Sequence, residues 1–234
     1  MSSVWNALFG GARVVIFAGH YGSGKSEIAV QYARMLADAG KRVLLADMDI
    51  VNPFFRSLDA RTLLESDGVR VAAPLFANTN VDVPALVPEI TTALRDPATH
   101  VVLDVGGDGD GARVLGRYHR DIDKDATAMV FVFNASRPMT RDAVTAAVHM
   151  EEIEYASRQR FTHILNNTHL LGETTAAGII AGESEAALLA AAKRCPLAAS
   201  VIAVPEDADQ PPAHPAGGST PWVPLRRTLG VRFE

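Results

Sequence analysis

The run Gly19-His20-Tyr21-Gly22-Ser23-Gly24-Lys25-Ser26 has the residue types and spacing of a loop that holds a chain of phosphates. Its glycines let the backbone curl until successive N–H groups point inward, and a helix starting at Lys25 adds its positive N-terminal end. Lys25 then neutralises the terminal phosphate oxygens. The Ser26 hydroxyl is a suitable oxygen ligand for Mg²⁺, an ion that takes oxygen donors in an octahedral shell and keeps several waters. Glu27 completes the contiguous nucleotide-contacting run from Gly19.

Carboxylates join this loop from two other apolar segments. Asp47-Met48-Asp49 ends one, and Asp104 ends Val101-Val102-Leu103-Asp104. An aspartate in the second setting commonly holds Mg²⁺ through its waters. Gly106 and Gly107 follow at once, as in a switch loop whose backbone senses the last phosphate. Taken singly, each aspartate also fits a turn former or helix cap. Together with the glycine-rich loop they read as a Walker-type Mg-nucleotide site, with Ser26 and Asp104 toward the metal and Asp47 and Asp49 placed to meet the same ligand.

The elements needed to converge these residues are visible as alternation of short apolar runs and helical patterns, the signature of a parallel sheet covered on both faces. Strands are predicted at 13–18, 42–47, 101–104, 128–134, 162–167 and 200–204, with a further short one near 69–73. Ile28, Tyr32, Met35, Leu36 and Ala39 form one helical stripe stopped by Gly40. Further helices are predicted near 83–95, 141–160 and 184–194. Residues 206–224, rich in proline, glycine and acids, read as a long flexible surface loop. The expectation is an α/β P-loop fold with a mostly parallel central sheet, in a single nucleotide-binding domain over residues 1–234.

The 234-residue chain, 48% apolar and 21% charged, has the composition of ordinary globular proteins. Its net charge of −5 repels nucleic-acid phosphates, and no basic run offsets it, so there is no strong nucleic-acid signal. Cys195 is the only cysteine, which excludes an intrachain disulfide and any multi-thiolate metal site. No segment reaches the roughly 20 apolar residues of a membrane span. The opening residues lack a cationic segment followed by a long apolar run. The cytoplasm is the expected compartment.

The sequence resembles the MinD/ParA branch of P-loop ATPases, over most of its length. Within that branch, Asp47-Met48-Asp49-Ile50-Val51-Asn52-Pro53-Phe54-Phe55-Arg56 and Asp104-Val105-Gly106-Gly107-Asp108 look like a set of bacterial MinD-like ATP-binding proteins. The resemblance implies that Asp49 orients the attacking water and that Asp47 and Asp104 serve the metal. It also places Asn167, with Asn166 nearby, and Pro205, with Glu206 nearby, around the adenine. Guanine recognition in related GTPases uses Asn-Lys-x-Asp, whereas Asn166-Asn167-Thr168-His169 has neither the lysine nor the aspartate. The branch's signature lysine, which crosses a dimer to the partner's phosphates, is replaced by His20. A protonated His20 can stand in for it, or the residue simply packs beside the nucleotide. A homodimer is thus an open assembly without its cross-dimer lysine.

Arg56, Arg113, Arg117 and Arg137 lie in or near predicted loops after strands, where an arginine could stabilise charge developing on a transferred phosphate, and most of them read as surface or structural residues. The segment 225–233 is similar to the membrane-targeting tail of MinD relatives, but Pro224 and Gly230 disfavour a helix there, and membrane attachment is not expected. Three functions fit these residues: an ATPase switch acting on a protein partner, a synthetase or phosphotransferase using a small-molecule cosubstrate, and a scaffold that holds ATP without turnover. In the second, 78–84 and 108–120 would meet the cosubstrate. Metallochaperone GTPases share the Gly-Ser-Gly-Lys core but carry the base-reading aspartate that this chain lacks.

Overall fold

The computed structural model describes residues 5, 7–48, 58–72, 87–107, 109–170, 173–204, 214 and 220–226. Eight strands form one sheet: β1 (Val14–Ala18), β2 (Arg42–Asp47), β3 (Val69–Ala72), β4 (Thr99–Asp104), β5 (Thr127–Phe133), β6 (His163–Asn166), β7 (Leu197–Val204) and β8 (Trp222–Arg226). Their order is β3-β2-β4-β1-β5-β6-β7-β8 and every neighbouring pair is parallel. The sheet is therefore wholly parallel, beyond the mostly parallel sheet expected. The six described helices are α1 (Lys25–Asp38), α2 (Leu58–Ser66), α3 (Pro88–Arg95), α4 (Gly109–Arg117), α5 (Ala143–Ser157) and α6 (Ala176–Lys193).

Side-chain alternation along β1 divides the core. Val14, Ile16 and Ala18 pack on one face with Ile90 of α3, Leu115 of α4, Met150 of α5 and Leu189 of α6. Val15 and Phe17 pack on the other with Ile28, Tyr32 and Leu36 of α1 and Leu64 of α2. A strand buried on both faces is apolar throughout, which is why β1 and β5 read as continuous hydrophobic runs rather than alternating ones. The two clusters sandwich the sheet between helical layers.

Several elements differ from the sequence expectation. Helix α6 begins at Ala176, eight residues before the predicted start, because Thr175 caps it by accepting from the Gly178 N–H. Helices α2 and α4 were not anticipated; glycine fills three of the nine positions of α4 and masks its periodicity. The described part of the helix expected at 83–95 starts at Pro88, and 83–86 lie outside the described residues.

Strand β8 occupies the end of the stretch read as a loop at 206–224. Pro224 hid it, since proline cannot donate to a ladder, but β8 is an edge strand where that loss is tolerated. Gln31 of α1 serves this edge: its Nε2 donates to the Pro224 carbonyl at 2.7 Å and its Oε1 accepts from the Arg226 N–H at 2.6 Å. Trp5 Nε1 donates to the same carbonyl at 3.3 Å. Among the described residues no helix is long and apolar enough to cross a membrane.

Candidate nucleotide site

The phosphate loop lies between β1 and α1, at the carboxyl edge of the sheet near its middle. The chain leaving β1 runs to β2 on one side, whereas the chain leaving its neighbour β4 crosses to β5 on the other, and such a switch point opens a crevice for ligands. Helix α1 starts without a side-chain cap. Its N-cap is Gly24 in the left-handed conformation, φ 88°, ψ 14°. By contrast, α5 carries an Asp142–Thr145 capping box and α6 its Thr175 cap. A helix start with no side-chain cap of its own is the arrangement suited to receiving an anion.

Neighbouring residues hold the loop in shape. Asn167 Nδ2 donates to the Ser23 carbonyl at 2.6 Å, and its own N–H donates to Phe133 O at 2.7 Å. A Cβ on Gly24 would run into that Asn167 amide. At the loop's other side, Arg137 Nε donates to the Gly22 carbonyl at 2.8 Å, and Gly22 has φ +73°. A Cβ on Gly19 would sit 2.5 Å from Val132 O. Lys25 and Ser23 are buried, while Gly22, Gly24, Ser26 and Glu27 are half-buried and Tyr21 is exposed. Ser23 Oγ is buried and makes no hydrogen bond within the protein.

The acids converge through register. Asp47 of β2 pairs with Asp104 of β4, so both reach the same edge of the sheet, and both are buried. The Met48 N–H continues the ladder to Asp104 O at 2.8 Å. With the Ser26 hydroxyl, these two carboxylates would supply an all-oxygen donor set, which suits Mg²⁺, an ion usually bound by one or two carboxylates with waters and phosphates. Among the described residues no group of three or more His, Cys, Asp or Glu residues is placed to hold a metal by itself. Asp49, Pro205 and Glu206 lie outside the described residues, as does Arg56.

Gly107 lies directly on the loop. A Cβ there would meet the Gly19 carbonyl, the Tyr21 N at 2.7 Å and the His20 C at 2.8 Å. Only glycine brings the chain after β4 this close to the phosphate loop. His20 is half-buried, with Nδ1 3.0 Å from Tyr21 O and its ring centroid 5.2 Å from that of His149 on α5.

Asn166 takes a different place from Asn167. Its Nδ2 donates to Ile179 O at 3.3 Å and Ser200 Oγ at 3.0 Å, while Oδ1 accepts from Thr168 N at 3.2 Å and Thr168 Oγ1 at 2.6 Å. Its side-chain capacity is filled internally, making it a brace between β6, β7 and α6. Arg137 was named from the sequence only as one of four arginines near strand ends, and His149 was not singled out. Arg137 follows the carboxyl end of β5, the neighbour of β1, and that position is the signal for it. His149 is brought in from mid-helix by packing, for which the sequence offers no local signal.

Residues 14–178 match the CobQ/CobB/MinD/ParA nucleotide binding domain. The chain belongs to that family. This CobQ/CobB/MinD/ParA-type domain is a P-loop NTPase fold, and nucleotide binding is the family's shared property. Solved structures of similar fold include chloroplast FtsY from Physcomitrella patens, at 14% identity and a TM-score of 0.51, covering 79% of this chain and 56% of that one. FlhF complexed with GTP and Mg²⁺ aligns at 13% identity and a TM-score of 0.51, covering 84% of this chain and 67% of FlhF. FtsY from Elizabethkingia anophelis in complex with GDP aligns at 18% identity and a TM-score of 0.50, covering 79% and 55%. The chain spans little more than half the length of the FtsY structures. No curated protein sequence matches it.

Proposed function

We propose that this protein binds Mg-ATP and hydrolyses it slowly, as a switch acting on a protein partner. The observation that carries this reading is the contact of Gly107 with the backbone of Gly19, His20 and Tyr21. The loop after β4 is in contact with the phosphate loop and cannot ignore what the latter holds. A γ-phosphate that orders this segment when present and releases it when lost is the established physical basis of nucleotide switches.

In this reading Lys25 neutralises phosphate charge and the uncapped amides of α1 bind oxygens. Ser26, Asp47 and Asp104 hold Mg²⁺, which when bound spreads the charge developing on the phosphates. Asp49 orients the attacking water. Arg137 fixes Gly22 from behind, keeping the loop curled. Adenine rather than guanine is supported by the sequence 166–169, which lacks the lysine and aspartate of guanine recognition; the GTP and GDP complexes of FlhF and FtsY show a shared fold at 13–18% identity and do not bear on the base.

The deciding experiment measures binding and turnover of Mg-ATP and Mg-GTP by the wild type, Lys25→Ala and Asp49→Ala, with molecular size recorded in each nucleotide state. ATP preference, binding lost in Lys25→Ala and turnover lost in Asp49→Ala support the switch. Tight binding without turnover favours the scaffold. Preferential GTP binding or no nucleotide binding overturns the ATP assignment.

A further inference from the structure

Three neighbours grip the glycine turn that follows β4. Gly107 rests on the backbone of Gly19, His20 and Tyr21. Gly106 rests on the first turn of α4, where a Cβ on Gly111 would sit 2.8 Å from both the Gly106 Cα and its N. The third hold is a side chain: the His149 ring of α5 hydrogen-bonds to the Gly107 backbone. That bond favours the protonated ring, so the ring N–H donates and the Gly107 carbonyl accepts.

His149 meets both loops of the site at once. Its ring stands edge-on to His20 of the phosphate loop, centroids 5.2 Å apart, and 6.5 Å from the ring of Phe131 on β5. Met150 and Ile153 beside it on α5 are seated in the core, so the ring projects from a fixed post. Burial lowers the His149 pKa against the opposing pull of Glu152, so at pH 7 the ring is neutral and carries one N–H. Two acceptors face it: the Gly107 carbonyl and the Glu152 carboxylate, 3.4 Å from Nδ1. The Glu152 side chain is 68% exposed and finds water, whereas Gly107 is buried. A buried carbonyl left without a donor is the costlier loss, so the single proton is better placed on Gly107.

We infer that His149 is a positioning residue of the nucleotide site, fixing the Gly107 carbonyl to α5 so that the turn after β4 stands where it answers to the terminal phosphate. This deepens the switch reading and rests on it. A ring that only filled space between α5 and the two loops would be replaced by phenylalanine without any change in which nucleotide is preferred.

The test is a direct titration of Mg-ADP and of a non-hydrolysable Mg-ATP analogue into the wild type, His149→Phe, His149→Gln and His149→Asn, with thermal unfolding of each. Phenylalanine keeps a ring against His20 and Phe131 and removes the donor, while glutamine and asparagine return an amide N–H near the places of Nε2 and Nδ1. Loss of one hydrogen bond should cut the preference for the ATP analogue over ADP by about fivefold in His149→Phe, with ADP affinity held within about twofold. At least one amide variant should recover the wild-type preference to within about twofold. An unchanged preference in His149→Phe, an equal loss of both nucleotides, or recovery in neither amide variant overturns the inference. A second measurement needs no variant: the ¹⁵N shifts of the His149 ring in the wild type should differ between the ADP and ATP-analogue complexes, and identical shifts overturn the inference. A wild type that binds both nucleotides alike removes the switch reading and this inference with it; a wild type that discriminates, matched by His149→Phe, removes the inference alone.

Discussion

Replacing Gly107 by alanine tests how the loop after β4 is tied to the phosphate loop. The new methyl group would meet Tyr21 N at 2.7 Å and His20 C at 2.8 Å, with the Gly19 carbonyl nearer still. All three are backbone atoms, so no side chain can swing aside. One of the two segments must move by some tenths of an ångström, and over-packing of this kind costs about 1–3 kcal/mol. If the phosphate loop yields, its amides lose their common focus and nucleotide affinity should fall by roughly 5- to 150-fold. Gly40→Ala is the matched control: Gly40 has φ +74° and open space around the added methyl, so it carries backbone strain of about 1–2 kcal/mol without touching the site. Fluorescent-nucleotide titration and thermal unfolding of both variants separate the effects. Gly107→Ala should lose affinity, and Gly40→Ala should lose only stability. Wild-type affinity in Gly107→Ala, with a Tm loss like that of Gly40→Ala, refutes the coupling.

Asn167→Ala removes the 2.6 Å hydrogen bond to the Ser23 carbonyl and leaves that acceptor without it; a loss of about 1–2 kcal/mol is expected, read as roughly five- to thirtyfold weaker nucleotide binding in a direct titration. Acid sensitivity should follow the histidines that folding withdraws from water: desolvation lowers the pKa of half-buried His100 and His163 and of buried His149 below the ordinary 6.5, so the unfolded chain takes up protons first as pH falls below that value. Stability is therefore full above about pH 6.5 and declines below it, and His163→Phe, which preserves an aromatic ring against Phe9, should flatten that decline by up to about one proton when unfolding is followed by denaturant titration across pH 5–7.

Seven of the eight strands were legible because each is short, apolar and bounded by turn residues, and burial on both faces leaves no competing pattern. Strand β8 was not legible: Trp222-Val223-Pro224-Leu225-Arg226 contains the residue that least suits a strand, and only its position at the edge makes it one. The phosphate loop was readable from spacing alone because the chemistry demands contiguous residues. Pairing of Asp47 with Asp104 was implied by their place at strand ends, and the register then brings them level. The separate duties of Asn166 and Asn167 were not implied, since adjacent residues at a strand end point to opposite sides and the sequence does not say which side meets the loop. Arg137 was marked only by its place after a strand, and His149 enters the site through the packing of α5 beside β1, a consequence of strand order that no local pattern encodes.

The bond between Gln31 and β8 carries a consequence for how the protein is made. Gln31 lies on the helix that begins with Lys25 and Ser26, yet its buried amide is satisfied by Pro224 and Arg226, 193 and 195 residues further along the chain. A ribosome delivers those partners long after the helix itself. Until then the helix can dock only by leaving a polar amide without its strand or by holding it in water, so firm seating of the phosphate-loop helix waits for β8. Competence to hold nucleotide is thereby tied to having β8 in place, and a chain cut short before β8 is kept from behaving as one that has it.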